Sequence, residues 1–136
     1  MSFKVHCPVE VRFRDCDAMG HVNNAVYLTY LEVARFAYWK AADIGRLEGD
    51  ISYIIARVEI DFRASAATGD VIDVALAVRA IGRRSFTIEY EIRDQEGRLL
   101  VTARSVQVAY DYAAKQSVAV PGAIRARISE FEGAAF

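Results

Sequence analysis

The chain begins with hydrophobic and polar residues in alternation. Over residues 4–14 every second residue is hydrophobic, which predicts a strand with one buried face. Pro8 lies inside this segment, and because proline cannot donate a backbone hydrogen bond, we expect the strand at a sheet edge or bulged at that position. The predicted buried face consists of Val5, Cys7, Val9, Val11 and Phe13.

A long helical pattern follows and runs to about residue 43. Asn23 or Asn24 is suited to cap its start, and Gly45 is suited to end it. The polar positions form one narrow stripe, which is typical of a helix buried in a core. Phe36 and Trp39 lie near that stripe, where they can cover a ligand or a second subunit. The predicted core side consists of Tyr27, Tyr30, Leu31, Ala34, Tyr38 and Ala41.

Four strand patterns come next, with no helix between them. Gly97 supplies the positive φ of a hairpin turn between the third and fourth of these strands. In the first of them, Arg57, Glu59 and Asp61 alternate with hydrophobic residues and are expected to form an ion-pair network at a subunit contact. The four strands are predicted at residues 52–65, 71–80, 84–93 and 99–110, and the hydrophobic face of the first is Ile54, Ala56, Val58, Ile60 and Phe62.

The order of these elements predicts the fold class. Pro121 is expected to open a short helix through Ile128, with fraying from Glu130 onward. One strand, one buried helix and four more strands indicate a single α+β domain over residues 1–136, with an antiparallel sheet packed on one helix. Such a sheet covers the helix on one side, so we expect at least a homodimer.

Composition narrows the classes of function. The 136 residues are 54% hydrophobic with a net charge of −1, which fits a soluble globular chain and argues against general nucleic-acid binding. The chain has neither a secretory signal pattern nor an 18-residue apolar stretch, so we expect a cytoplasmic protein without a membrane segment. The spacing of His6, Cys7, Cys16 and His21 fits no zinc template, and no metal is expected.

The turn between the first strand and the helix concentrates chemically active groups. Asp15, Asp17 and His21 lie within a few residues of the helix start, where unpaired N–H groups attract negative charge. On residue type alone, Asp17 is either a turn former or a general base or nucleophile. Asp15 points the same way as Asp17 if the strand pattern continues, and it is expected to fix the loop. Asn24 either caps the helix or binds a substrate oxygen.

This turn carries a resemblance to a known family. Residues 15–24, Asp-Cys-Asp-Ala-Met-Gly-His-Val-Asn-Asn, together with Tyr27-Leu28 and residues 32–35, Glu-Val-Ala-Arg, resemble the hotdog-fold acyl-CoA thioesterases, nearest the 4-hydroxybenzoyl-CoA thioesterase group. The resemblance implies a curved five-stranded antiparallel sheet around one long central helix. It implies hydrolysis of acyl-CoA to a free acid and CoA in a homodimer or homotetramer, with no metal or redox cofactor. Residues 21–24 differ from those of benzoyl-specific members, so a benzoyl substrate is not implied.

The resemblance also implies roles for individual residues. Asp17 is the catalytic carboxylate, as nucleophile or general base, and the amides around Gly20 and His21 hold the thioester oxygen. Because a thiol has a pKa near 8.5, it leaves without strong acid assistance, and a serine triad is unnecessary. His21 either orients substrate or bonds loop backbone. The expected catalytic residues are therefore Asp17, Gly20, His21 and Asn24, and the expected substrate-binding residues are Arg63, Arg83, Arg84, Ser85 and Tyr27.

Three alternatives stay open at this point. The arginines are either solvated surface groups or ligands of the CoA phosphates, for which guanidinium groups are well suited. The substrate is a thioester of CoA or of an acyl-carrier protein. The chain is an enzyme or a non-catalytic acyl-CoA sensor, and a hotdog dehydratase ranks last because its usual Asp and His pairing is missing.

Overall fold

The computed structural model describes residues 2–45 and 51–136. Its strands form one antiparallel sheet in the order β1-β3-β4-β5-β2, with a short β6 paired to β5. The predicted α+β architecture is confirmed. The strands are β1 (Val5–Glu10), β2 (Ile51–Phe62), β3 (Val71–Ile81), β4 (Ser85–Arg93), β5 (Leu99–Asp111) and β6 (Gln116–Ser117), and the helices are α1 (Asn24–Ala41) and α2 (Gly122–Glu132).

The helix α1 lies on one face of the sheet, over β1 and β3. It buries the side that its hydrophobic period predicts, with one exception: Ala41 is exposed, and Ala42 just beyond the helix is buried instead. Within the described residues, no helix is long and apolar enough to cross a lipid bilayer. The buried helix residues are Tyr27, Tyr30, Leu31, Ala34 and Tyr38.

The C-terminal end of α1 corrects the prediction that Gly45 stops the helix. Asp43 adopts the left-handed conformation with φ of 57°, two residues earlier. The N–H of Asp43 donates to the carbonyl of Lys40 (3.2 Å), and the N–H of Ile44 donates to that of Trp39 (3.0 Å). This is a Schellman ending, and the side chain of Ile44, which follows the left-handed residue, is buried.

A bulge in β2 changes which side chains face the helix. The register shifts between Ile55 and Arg57, and the extra residue reverses the alternation on the N-terminal side. Ile54 therefore lies on the face opposite to the predicted one, and Ala56 is the extra residue of the bulge. Tyr53 faces the helix instead, and its ring packs on Trp39 at 5.5 Å. The row on the helix side is Tyr53, Ile55, Val58, Ile60 and Phe62.

The helix α2 runs beyond the predicted end at Ile128 and stops at Gly133, whose φ is 69°. Tertiary contacts hold its last turn. Glu132 Oε2 accepts hydrogen bonds from the Tyr38 hydroxyl (2.7 Å) and from the Val78 N–H (3.0 Å), next to a bulge in β3. The ring of Phe131 packs edge-on against Tyr38. The last turn is therefore anchored to both α1 and the sheet, which prevents the expected fraying.

Candidate active site

The turn between β1 and α1 is built around the buried carboxylate of Asp15. The strand ends at Glu10, and residues Phe13–Asp15 form a 3₁₀ turn rather than more strand. Asp15 accepts hydrogen bonds from the backbone and guanidinium of Arg12 (3.0 and 2.9 Å) and from the Tyr30 hydroxyl (2.8 Å). The Arg12 side chain is the main cause that lowers the pKa of Asp15 to about 2. These bonds tie the turn to α1.

Asp17 is exposed and is held by the backbone of its own turn. Its Oδ1 accepts hydrogen bonds from the N–H groups of Met19 (2.9 Å) and His21 (3.3 Å). Its backbone exchanges hydrogen bonds with Gly20 and His21, and Gly20 has a φ of 81° that favours glycine. The other carboxylate oxygen, Oδ2, has no hydrogen-bond partner among the described residues. One oxygen is thus fixed and the other is open.

The loop between β2 and β3 supports the turn from the other side. The N–H of Val22 donates to the carbonyl of Ala66 (2.9 Å), and His21 forms an isolated bridge with Ala67. The thiol of Cys16 lies 3.3 Å from the Thr68 hydroxyl. The sequence of the turn does not predict these supporting residues, because α1 and β2 lie between them and the turn in the chain.

The start of α1 lies directly after the turn. The side chain of Asn23 accepts from the N–H of Ala25 (2.9 Å), so Asn23 is the cap and Asn24 is the first helical residue. Neither the backbone N–H nor the side-chain amide of Asn24 has a hydrogen-bond partner among the described residues. By contrast, the N–H of Gly20 donates to the Asp17 carbonyl. The available donors at this electropositive end therefore come from Asn24.

Tyr27 lies beneath the turn rather than in the open. It is 3% exposed, and its ring packs on Tyr30 (5.8 Å) and Phe62 (5.5 Å). Burial raises the pKa of its hydroxyl. In one chain, Tyr27 supports the floor of the turn and is closed to a substrate.

The candidate arginines lie at two different ends of the sheet. Arg63 follows β2 at the end that carries Asp17, and its guanidinium donates to Thr102 (3.1 Å). Arg83, Arg84 and Ser85 lie beyond the far end of β3, which has 11 residues and is therefore about 35 Å long. There Arg84 donates to the Ser117 hydroxyl (3.0 Å). A single chain does not bring these three residues to Asp17.

A groove of about 300 Å³ runs between α1 and β2. The alternation of residues along β2 does not predict this groove, because its β2 wall depends on the bulge that turns Ile55 toward the helix. Its lining mixes apolar and polar side chains from the two elements. The lining residues are Leu28, Thr29, Glu32, Arg35, Ile55 and Val58.

The opposite face of the sheet carries charged residues and a depression of about 420 Å³. Glu59 lies in it and pairs with Arg57 (2.6 Å), while Asp61 is 3.8 Å from Arg63. All four side chains are exposed, so these pairs contribute little to stability. Within residues 2–45 and 51–136, no group of three His, Cys, Asp or Glu side chains is arranged to hold a metal ion.

Comparisons with known proteins find one family and several relatives. A family model described as the thioesterase-like superfamily matches residues 11–128. The long-chain acyl-CoA thioesterase FadM of Escherichia coli is 24% identical over 125 residues, which cover 90% of this chain and 95% of that protein. The acyl-CoA thioesterase YbgC of Haemophilus influenzae is 28% identical over 124 residues, which cover 88% and 90%.

A solved structure is similar over nearly the whole chain. It is a thioesterase from Thermus thermophilus in complex with coenzyme A and zinc. It superposes with a TM-score of 0.87 at 35% identity and covers 98% of each chain.

Proposed function

The chain belongs to the thioesterase-like superfamily, and we propose that it hydrolyses acyl-CoA to a free acid and CoA at the turn between β1 and α1. Its curved antiparallel sheet and central helix are the hotdog fold, as the resemblance of the turn between β1 and α1 to that family implies. The observation that carries the proposed site is the carboxylate of Asp17, in the turn that leads into α1, which is held through Oδ1 while Oδ2 has no hydrogen-bond partner among the described residues.

The geometry suits attack on a thioester carbonyl. In the proposed reaction Asp17 either takes a proton from the attacking water or attacks the carbonyl carbon itself. Asn24 then donates to the carbonyl oxygen as negative charge develops on it, with the His21 N–H as a second donor because its bond to Asp17 is long. The carbon–sulfur bond breaks and CoA leaves as a thiolate. If Asp17 is the nucleophile, water then hydrolyses the anhydride formed on it, which releases the acid and restores the carboxylate. Gly20 provides the turn that aligns these groups.

We propose that a second copy of the chain completes the site. The strand β2 is a 12-residue edge strand whose outer side is unpaired among the described residues. Across a two-fold axis, antiparallel β2 strands would bring the far end of one chain to the Asp17 end of the other. Arg83, Arg84 and Ser85 of one chain would then bind the nucleotide of a CoA held near Asp17 and Arg63 of the other. The exposed ring of Phe36 on α1 supports such an interface.

A thiol-release assay tests the function. Wild-type protein is expected to release CoA from at least one member of a series of short, long and aromatic acyl-CoAs. Asp17→Asn keeps the size of the side chain but removes the base, and it should lower kcat at least about 100-fold. The exposed Glu96→Gln is a control for the loss of one carboxylate and should keep wild-type activity. Equal turnover by wild type and Asp17→Asn would refute the role of Asp17.

A further inference from the structure

We propose that Glu32 and Arg35 form reciprocal ion pairs between two copies of the chain, across the groove between α1 and β2. The inference rests on the two-chain site proposed above and names the contact that aligns the two chains. Both residues line the groove, and they lie about one helical turn apart on α1. The proposed occupant of the groove is a second copy of this chain.

Arg35 carries a positive charge that no carboxylate of the described chain neutralises. Its guanidinium is half-buried and donates to the Tyr90 hydroxyl (3.3 Å). Within residues 2–45 and 51–136 the side chain has no other hydrogen bond and no ion pair. A charge taken partly out of water loses hydration, and an opposite charge offsets that loss. Arg35 therefore favours an anionic partner.

Glu32 carries the matching negative charge on the same wall of the groove. It is exposed, and its carboxylate has no hydrogen bond or ion pair among the described residues. Residues three apart on a helix are neighbours and can pair. Here the bond to Tyr90 directs the guanidinium of Arg35 toward the sheet, and the two charges do not pair within the chain. Both charges therefore face the groove without a partner in the part of the chain that is described.

A two-fold axis would pair these charges reciprocally. In a symmetric dimer, contact of Glu32 with Arg35 of a second copy entails contact of Arg35 with Glu32 of that copy. Two α1 helices that pass each other in opposite directions meet this condition, with the axis level with residues 33 and 34. One symmetric contact thus gives two ion pairs.

The edge strand β2 is compatible with the same axis. It spans Ile51–Phe62, so its middle lies between Ala56 and Arg57. Ile55 and Val58 flank this middle, and both line the groove on the side that faces α1. Full-length antiparallel pairing of two β2 strands places their two-fold axis at this middle. Strand pairing and ion pairs can therefore share one axis beside the groove.

The charges of the groove favour a second copy over an acyl chain or a simple ion. An acyl chain is uncharged and leaves both Glu32 and Arg35 without a partner. An anion on Arg35 would be repelled by Glu32, and a cation on Glu32 would be repelled by Arg35. A second copy presents the two charges in the reverse order, so it satisfies both side chains at once.

Charge reversal tests these ion pairs. Glu32→Arg gives a chain with two positive groove residues, and Arg35→Glu gives a chain with two negative ones. Each variant alone should raise the dissociation constant of the dimer at least about 100-fold, because attractions become repulsions. An equimolar mixture should form a heterodimer with a dissociation constant within about tenfold of wild type, because opposite charges face each other again. Analytical ultracentrifugation at micromolar concentration measures these masses.

A control and a second variant keep the test sharp. Glu10→Arg reverses an exposed carboxylate on β1, at the other edge of the sheet, and should keep the wild-type mass. Circular dichroism checks that each variant is folded. If Arg35→Glu does not fold, the exposed Glu32 still tests the pairing, since its substitution leaves the single chain intact. The dissociation constant should then rise from wild type to Glu32→Gln and again to Glu32→Arg.

The outcomes separate this inference from the function beneath it. A monomeric wild type, an unchanged mass of Glu32→Arg, or folded single variants that do not associate when mixed would overturn the ion pairs. Thiol release is measured independently of mass. A wild-type dimer that hydrolyses none of the acyl-CoAs, but dissociates and recombines as described, would overturn the proposed function and support the ion pairs.

Discussion

Asp15 and Asp17 are two residues apart and have opposite environments. Asp15 is buried and bonded to Arg12 and Tyr30, whereas Asp17 is exposed with one oxygen open. The expectation that both point the same way was wrong, because the 3₁₀ turn ends the alternation of the strand. Residue types and spacing were enough to predict that Asp15 fixes the loop. They could not predict which Asn caps the helix, since Asn23 and Asn24 are equally suited.

The depressed pKa of Asp15 predicts a pH dependence of stability. Its folded-state pKa of about 2 lies below the ordinary value of 3.8. The carboxylate therefore stabilises the fold above about pH 4, and this contribution is lost as the pH falls toward 2. In urea unfolding, Asp15→Asn should be less stable than wild type at pH 7 and should lose less stability between about pH 4.5 and 2.5. Asp61 is exposed, so Asp61→Asn should lose as much stability as wild type over this pH range. If Asp15→Asn also loses as much stability as wild type, the role of the Asp15 carboxylate is contradicted.

At the scale of elements, hydrophobic periodicity was sufficient for the core face of α1 and for the presence of each long strand. It failed where one residue changes the backbone locally. The bulge in β2 reversed the facing of Ile54 and Ile55, and Asp43 took the left-handed position expected near Gly45. The end of α1 is also held by a distant segment, since the guanidinium of Arg127 donates to the Ala42 carbonyl (2.7 Å). The end of α2 was underestimated for the same reason, since its partners Tyr38 and Val78 lie on other elements.

The anchor of α2 gives a prediction for this element. Glu132→Ala leaves the Tyr38 hydroxyl and the Val78 N–H without their acceptor, and should lower the free energy of unfolding by about 2–3 kcal/mol. Glu130→Ala removes an exposed carboxylate from the same helix, with one surface ion pair to Arg127, and should cost less than about 1 kcal/mol. Urea unfolding of the two variants measures the difference. If both variants lose the same free energy of unfolding, the two hydrogen bonds accepted by Glu132 add no stability beyond that of a surface carboxylate.

At the scale of the whole molecule, the described residues leave two surfaces exposed, one on α1 and one along the edge of β2. The helix α1 exposes hydrophobic side chains opposite its buried side, and the edge of β2 is open among the described residues. The sequence predicted an oligomer from the apolar circumference of the helix, and that remains a prediction. It could not predict that Arg83 and Asp17 lie at opposite ends of the sheet, since that depends on the antiparallel pairing of β1 with β3, which brings the end of β1 to the start of β3.

The proposed interface predicts the effect of a charge on α1. Phe36 is 69% exposed, so Phe36→Lys should leave the stability of the single chain nearly unchanged. In a dimer that buries this ring, the same change places an unpaired charge in the interface and should shift the protein toward monomer. Analytical ultracentrifugation at micromolar concentration measures this shift. Tyr112→Lys, at an exposed position after β5, should keep the wild-type mass.

The length of β3 has a consequence for mixtures of inactive proteins. If each site takes Asp17 from one chain and Arg83 with Arg84 from the other, two defective chains can rescue each other. A hybrid of an Asp17→Asn chain with a chain carrying Arg83→Ala and Arg84→Ala has one undamaged centre and one doubly damaged centre. Refolding the two proteins together in equal amounts should restore roughly a quarter of the wild-type centres, measured as thiol release at low acyl-CoA concentration. No recovery despite hybrid formation would mean that each chain works alone.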